Sequence, residues 1–377
     1  MNKVNIKLNN TAEQVELIKA MVSPDAVTAA KARSAFAKFI GPMLQQVLNL
    51  QSTVNQLYVD WPYNEDDLPM FPLDQYYQQP VGSIKVWQQN APGGLGSSVE
   101  SGLQELPITT YRLDTAVGWL EKTIRRGRLP YVSLGLNRAA QELLRLQERN
   151  GWLVVLKALA EARTKAGPAN TNYEHIIQST AADVLQLDDF NRWLTRAKRI
   201  NVAFDNQGTP EQVFSRGATD AFLSPEMMEQ IRGFVYQPMN TRNGKVGTGS
   251  DTSTSIPLPD ATRESIYNNA GLSEVYGITL HEMLEFGINQ RYNTIFDGYY
   301  NGSLTFDTAN QEIIVGVDRS RDAIIRPIAQ NADYGTSLVM QEDDQWPKRA
   351  GKLGFFGAIE EGRAVIDARV LSGLIIQ

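Results

Sequence analysis

The chain has 377 residues, is 42% hydrophobic and 21% charged, and carries 36 Lys and Arg against 42 Asp and Glu, for a formal charge of −6. That length predicts two or three domains, and the composition is that of a chain able to bury a core. The absence of cysteine excludes disulfide scaffolds, zinc–thiolate sites, iron–sulfur clusters and thiol nucleophiles; with only His175 and His281, a three-histidine metal site within one chain is excluded as well.

The acidic balance argues against a protein that grips nucleic acid through a basic face. No apolar run reaches the roughly 18 residues of a membrane helix, and the N-terminus lacks the apolar core of a signal peptide. A soluble protein made in a cytoplasm is expected.

Thr11 is a candidate helix cap, followed by Val15, Ile18 and Met21 at helical spacing. Ser23-Pro24 reads as the start of a second helix with proline at its first position. Its apolar positions run from Ala29 through Phe36, Phe39 and Ile40 to Leu50, and Pro42 should kink or break it. From Tyr58 to Tyr77 aromatics alternate with Pro62, Pro69 and Pro72. That texture predicts an extended arm, with Tyr58, Trp61 and Tyr63 as anchors against another surface.

Residues 81–124 read as a long two-stranded excursion. Ile84, Val86 and Trp87 lie on the outgoing strand; Gly93, Gly94, Leu95 and Gly96 form a flexible tip; Leu106–Leu113 is the β-branched and aromatic return. The strongest helical signal spans about 133–163, with Leu136, Ala140, Leu143, Leu153 and Leu156 on one stripe. At 1.5 Å per residue it would be roughly 45 Å long, with Gly135 and Gly151 as weak points. Further on, Leu187–Ile200 reads as a helix, Asn201–Phe204 as a strand, Ser224-Pro225 as a capped helix start and 240–256 as an exposed loop. Glu312–Val317, Ser337–Met340, Leu353–Ile359 and Arg363–Leu371 read as strands.

Chemical motifs are sparse. His281-Glu282-Met283-Leu284-Glu285 resembles the helical zinc motif, but its second histidine is Glu285, so it reads as a polar helix face; a zinc ion would need His175 or a further carboxylate. The glycine-rich stretches 244–250 and 93–96 fail the phosphate-loop pattern. Adjacent carboxylates at Asp66-Asp67, Asp188-Asp189, Asp343-Asp344 and Glu360-Glu361 read as solvated surface. Arg125, Arg126 and Arg128 form the densest basic cluster, a candidate contact for phosphate or for a neighbour's carboxylate. No Gly-x-Ser-x-Gly elbow is present.

The order of these elements resembles that of the major capsid proteins of tailed bacteriophages, the Hong Kong 97-type α+β fold. The text from Gly357 to Val370, the helix after Leu223-Ser224-Pro225 and the segment from Val132 onward carry the resemblance. It implies an N-terminal arm at 1–71 and an extended loop at 72–113. It further implies a peripheral domain at 114–170 and 335–377 with its spine helix at 133–163, and an axial domain at 171–334. It implies no catalytic, metal-binding or cofactor-binding residues. The implied role is self-assembly as pentamers and hexamers into an icosahedral shell around double-stranded DNA, held weakly and non-specifically. The implied location is the virion, after assembly in the host cytoplasm, with no membrane contact.

By the same analogy the partners are a portal protein and decoration or cement proteins. A separate scaffolding protein is expected too, because no helical acidic segment of about a hundred residues precedes the arm. The extended loop, through Ile84, Val86, Trp87, Gly93, Gly94 and Leu95, would lie over an adjacent subunit. Some members of the family cross-link a loop lysine to a neighbour's asparagine. Residues 90–107 hold Asn90 but no lysine, and Lys85 lies within the strand, so no such cross-link is expected. An encapsulin-like compartment shell, a tail or portal component, and a carbohydrate-active enzyme using the aromatics at 58–77 are the alternative readings.

Overall fold

A computed structural model describes residues 11–72, 105–126, 129–165, 175–205, 217–233, 274–300, 306–320, 322–331, 337–343 and 351–376. In chain order these hold α1 (Ala12–Ala20), α2 (Ala26–Gln51), α3 (Thr53–Leu57), β1 (Val59–Asn64), β2 (Met70–Pro72), β3 (Glu105–Pro107), β4 (Thr110–Leu120), α4 (Glu121–Arg125) and α5 (Leu129–Lys165). There follow β5 (Ile176–Gln178), α6 (Leu187–Asp205), β6 (Asp220–Leu223), α7 (Pro225–Gly233), β7 (Glu274–Val275), β8 (Ile278–Glu282) and α8 (Arg291–Tyr299). The remainder is β9 (Glu312–Val317), β10 (Ile324–Gln330), β11 (Leu338–Asp343), β12 (Lys352–Gly362), β13 (Ala364–Val365), a 3₁₀ turn (Ala368–Val370) and β14 (Leu371–Ile376). The architecture is α+β, as expected.

The chain divides into two compact units, Met1–Gly151 with Ile325–Ala364, and Trp152–Ile324 with Val365–Gln377. The long helix α5 supplies residues to both. In the first unit β12 is the central strand. It pairs antiparallel with β4 along its full length, from Lys352↔Leu120 to Gly362↔Thr110, and on its other side with β11 and then β10. β1 closes the sheet, parallel to β10 from Val59↔Ile325 to Asn64↔Gln330. Period-two alternation puts Val117, Trp119, Leu338, Met340, Leu353, Phe355 and Ile359 on one face. There they pack with Phe36, Ile40 and Leu44 of α2 and with Val132, Leu136, Ala140 and Leu143 of α5. Residues 12–51, expected as helices within an N-terminal arm, supply Ile18, Met21, Phe36, Ile40, Leu44 and Leu48 to this core.

The second unit is built on the sheet β5-β14-β9-β6-β8-β7. Phe190, Trp193, Leu223, Met228, Ile231, Ile314 and Leu374 belong to its core. Its outermost strands have only 3 and 2 residues, which leaves little free edge for unwanted pairing. Residues 365–377, expected in the peripheral domain, fall in this unit, where β14 pairs with β9 and β5.

Both glycines read as weak points of the long helix have packing reasons. A Cβ at Gly135 would meet Trp119 Nε1 at 2.6 Å, and one at Gly151 would meet Val54 Cγ1 at 2.0 Å. The helix is also longer than expected, 37 residues from Leu129 to Lys165.

Several local expectations are corrected. The cap of α2 is Asp25, whose carboxylate accepts from the Val27 and Thr28 amides, so Pro24 precedes the cap. The helix then continues through Pro42. Residues 201–204 extend α6 instead of forming a strand: once a helix is nucleated, each added residue gains a hydrogen bond at little cost. Arg363–Leu371 is interrupted by a 3₁₀ turn, capped by Asp367 accepting from the Arg369 amide at 2.9 Å. His281 and Glu282 end strand β8, which follows a two-residue hairpin turn at Tyr276 and Gly277, both at positive φ. The Thr11 and Ser224 caps and the strand Glu312–Val317 are as expected.

Candidate intersubunit surface

The aromatic segment after α3 divides by depth. Tyr58 is buried in its own unit, and its hydroxyl donates to the Gly151 carbonyl at 2.9 Å. The Arg363 guanidinium lies 4.7 Å from its ring centroid. Tyr58 is thus an internal anchor, not one for a neighbour. Tyr63 is half-buried and donates to Glu360 Oε1 at 3.0 Å, with Thr110 Oγ1 donating to the same oxygen at 2.8 Å. Burial, reinforced by Glu360, pushes its hydroxyl up to about 12.

Trp61 is 39% exposed and meets Phe71 edge-on at 5.4 Å. Beyond it the chain turns, the Asp67 amide donating to Asn64 O at 2.9 Å, and enters β2, which pairs with β3 from Met70↔Pro107 to Pro72↔Glu105. The turn and the small sheet leave Leu68 76% and Met70 44% exposed. With Trp61, Tyr63, Asp67 and Glu105 they line an open groove of 660 Å³. Its acids are Asp67 and Glu105, and the exposed Glu65 and Asp66 precede Asp67 in the same turn. A groove whose walls combine exposed apolar side chains with one sign of charge suits a protein partner better than a small ligand.

β1, which carries this surface, is tied down from beneath. Arg326 is buried, and its Nε and Nη2 donate to the Asp60 carboxylate at 2.6 and 2.8 Å in a bidentate pair. Its Nη1 lies 3.9 Å from Glu361 Oε2. Glu361 is fully buried and accepts from Tyr111 Oη at 2.9 Å, Gln147 Nε2 at 3.2 Å and Arg363 Nη2 at 3.1 Å. Burial and the Glu361 charge push the Tyr111 hydroxyl up to about 12.

The reading of Glu360-Glu361 as solvated surface is therefore corrected, and so is that of Asp189, which is buried and accepts from the Thr180 amide at 3.1 Å. Asp66 and Asp67 are exposed, as read. Paired acids read as surface in a sequence unless their cations are known to be near. Arg363, two positions on, was the available signal.

Arg125 is exposed at the end of α4, with Glu121 Oε2 3.6 Å away, and Arg126 is exposed beyond it. Arg128 lies outside the described residues, as do Ile84, Val86, Trp87, Gly93, Gly94 and Leu95 and the loop at 240–256.

The two histidines, both in the second unit, do separate things. His281 Nε2 is 2.7 Å from Asp220 Oδ1, and its ring stacks on Phe222 at 4.8 Å. His175 is buried with Nδ1 2.8 Å from Leu371 O. Among the described residues, no three His, Asp or Glu side chains are grouped to hold a metal ion. No helix among the described residues is long and apolar enough to cross a membrane.

In chain order the described elements are leading helices, an edge strand, the paired strands β2 and β3, a long helix, a second sheet-based unit and a return to the first sheet. No family model matches the sequence, and no curated protein matches it. Solved structures that match include the capsid of a native GTA particle, 11% identical with a TM-score of 0.45, covering 86% of this chain and 89% of that one. The holo-SrpI encapsulin complex from Synechococcus elongatus is 12% identical with a TM-score of 0.43, covering 85% of each chain. The capsid of cyanophage P-SCSP1u is 12% identical with a TM-score of 0.44, covering 85% of this chain and 86% of that one.

Proposed function

We propose that this chain is a shell-forming structural protein, the major capsid protein of a tailed bacteriophage, assembling as pentamers and hexamers into an icosahedral head around double-stranded DNA. The observation that carries the reading is the element order, and above all the β2–β3 pair at an exposed, apolar, acidic edge, which brings together residues 72 and 105. A subunit of a closed shell needs several interfaces of imperfect symmetry, and such an edge supplies one.

In this reading the unit holding the β12 sheet is the peripheral domain and the other unit is the axial domain. The role is structural, not enzymatic. The acidic chain encloses DNA without gripping it, which suits a genome that must be packed and released. Portal, scaffolding and decoration proteins are the partners in the virion, and assembly takes place in the host cytoplasm.

The test is the content of purified particles. Nuclease-resistant double-stranded DNA of uniform length is expected. A uniform enzyme cargo in place of DNA would instead assign the shell to an encapsulin-like compartment.

A further inference from the structure

Between Lys38 and Lys85 the sequence has five carboxylates, Asp60, Glu65, Asp66, Asp67 and Asp74, and no Lys or Arg. From Lys122 to Gln141 it has five cations, Lys122, Arg125, Arg126, Arg128 and Arg138, and no Asp or Glu. Both segments belong to the first unit, and β4 separates them. β3, paired to β2 beside the acidic turn, leads into β4, and α4 with Arg125 and Arg126 leaves its far end. β4 has 11 residues, so its ends are on the order of 30 Å apart at about 3.3 Å per residue. The screening length at physiological salt is about 8 Å, so these charges do not satisfy one another within a chain.

Each segment also carries exposed apolar side chains. Leu68, Met70 and Trp61 line the groove with Asp67; Leu120, just before α4, is exposed, as are Tyr131 and Leu134 on the first turns of α5. Asp66 and Asp67 pair with no cation among the described residues, and Arg126 pairs with no carboxylate among them. Two exposed clusters of opposite charge toward the two ends of one strand suit the two halves of a head-to-tail contact.

We infer that the acidic groove of one subunit, centred on Asp66, Asp67 and Leu68, receives the basic turn of a second copy of this chain, centred on Arg125 and Arg126. This inference rests on the shell-forming reading and names one of its contacts. Such a contact is heterologous, the kind that closes rings when its rotation permits and otherwise runs on as a filament. Charge there sets rate, register and salt dependence more than total affinity.

The experiment uses the full-length chain and two charge-reversed forms, Asp66→Lys/Asp67→Lys and Arg125→Glu/Arg126→Glu, with their combination. Circular dichroism checks that each folds. Analytical ultracentrifugation at low and high salt follows self-association. Each reversal alone should weaken association by about tenfold or more at low salt, with the loss shrinking at high salt, and the combination should restore it. Wild-type association by either single reversal overturns the inference. So does loss in both without restoration, which would put the two patches in different contacts. Either result, with closed shells still formed by the wild type, leaves the shell reading standing. Salt-dependent pairing with restoration, but without closed shells, upholds the contact and overturns the shell. A wild-type chain that stays monomeric at low salt overturns both.

Discussion

Glu361 and Arg363 leave the end of one strand two residues apart and meet inside the protein, Arg363 Nη2 lying 3.1 Å from one carboxylate oxygen and 3.2 Å from the other. Arg326 Nη1 stands 3.9 Å from the same carboxylate. Glu361 is thus the one buried anion between two buried cations. Glu361→Gln leaves Arg363 with no carboxylate partner and Arg326 with Asp60 alone, and should cost about 3–5 kcal/mol. Arg363→Met should cost less, because Arg326 stays beside Glu361 and because Arg363 Nε and Nη1 have no hydrogen-bond partner among the described residues. Urea unfolding followed by tryptophan fluorescence ranks the two variants; the reverse order would contradict this arrangement.

The helix glycine at 151 tests packing. Gly151→Ala raises helix propensity by about 1 kcal/mol on an exposed site. Here the new Cβ would fall 2.0 Å from Val54 Cγ1, so overpacking should dominate and destabilise by about 1–3 kcal/mol. Adding Val54→Ala should recover part of that loss, since the two changes share one contact. A stabilised single variant would show that the helix and α3 do not approach so closely.

Asp60 fixes the edge strand. It is about half exposed, while its partner Arg326 is buried. Asp60→Ala leaves a buried cation short of its bidentate acceptor, at a cost of about 1–3 kcal/mol. The effect should concentrate on β1. Hydrogen exchange should quicken at the amides of 59–64 more than at those of β12, and uniform protection across the two strands would argue against the clamp.

Acid should act in part through His175. Burial holds its imidazole below the ordinary range, against the opposing influence of Leu371 O and Asp367. The folded chain therefore takes up that proton less readily than the unfolded chain. The stability contributed by neutral His175 is complete above the unfolded value of about 6.5 and is lost as pH falls below it. Melting temperatures measured from pH 7.5 down to 5 should drop more steeply for the wild type than for His175→Asn. Parallel slopes would remove His175 from the acid response.

Much of the fold could be read from residue order. Glu312–Val317 is an apolar run of strand length, and the stripe from Leu136 to Leu156 has the helical period, so local pattern and tertiary environment agree there. Failures came where a neighbour decides. Asn201–Phe204 reads as a strand through Val202 and Phe204 but follows an established helix. His281 and Glu282 were read against a helical motif, although Ile278, Thr279 and Leu280 alternate after a Tyr-Gly turn, which is the strand signal. Of the candidate surface, the exposed aromatic and acidic residues were legible. The internal role of Tyr58 and the burial of Glu361 were not, because both depend on Arg363 and on a strand paired across some 250 positions.

Electron microscopy of the purified full-length chain tests the central claim most directly. Closed icosahedral shells, or free pentamers and hexamers that close into them, are expected. A monodisperse monomer or dimer that never assembles under any salt condition would contradict it.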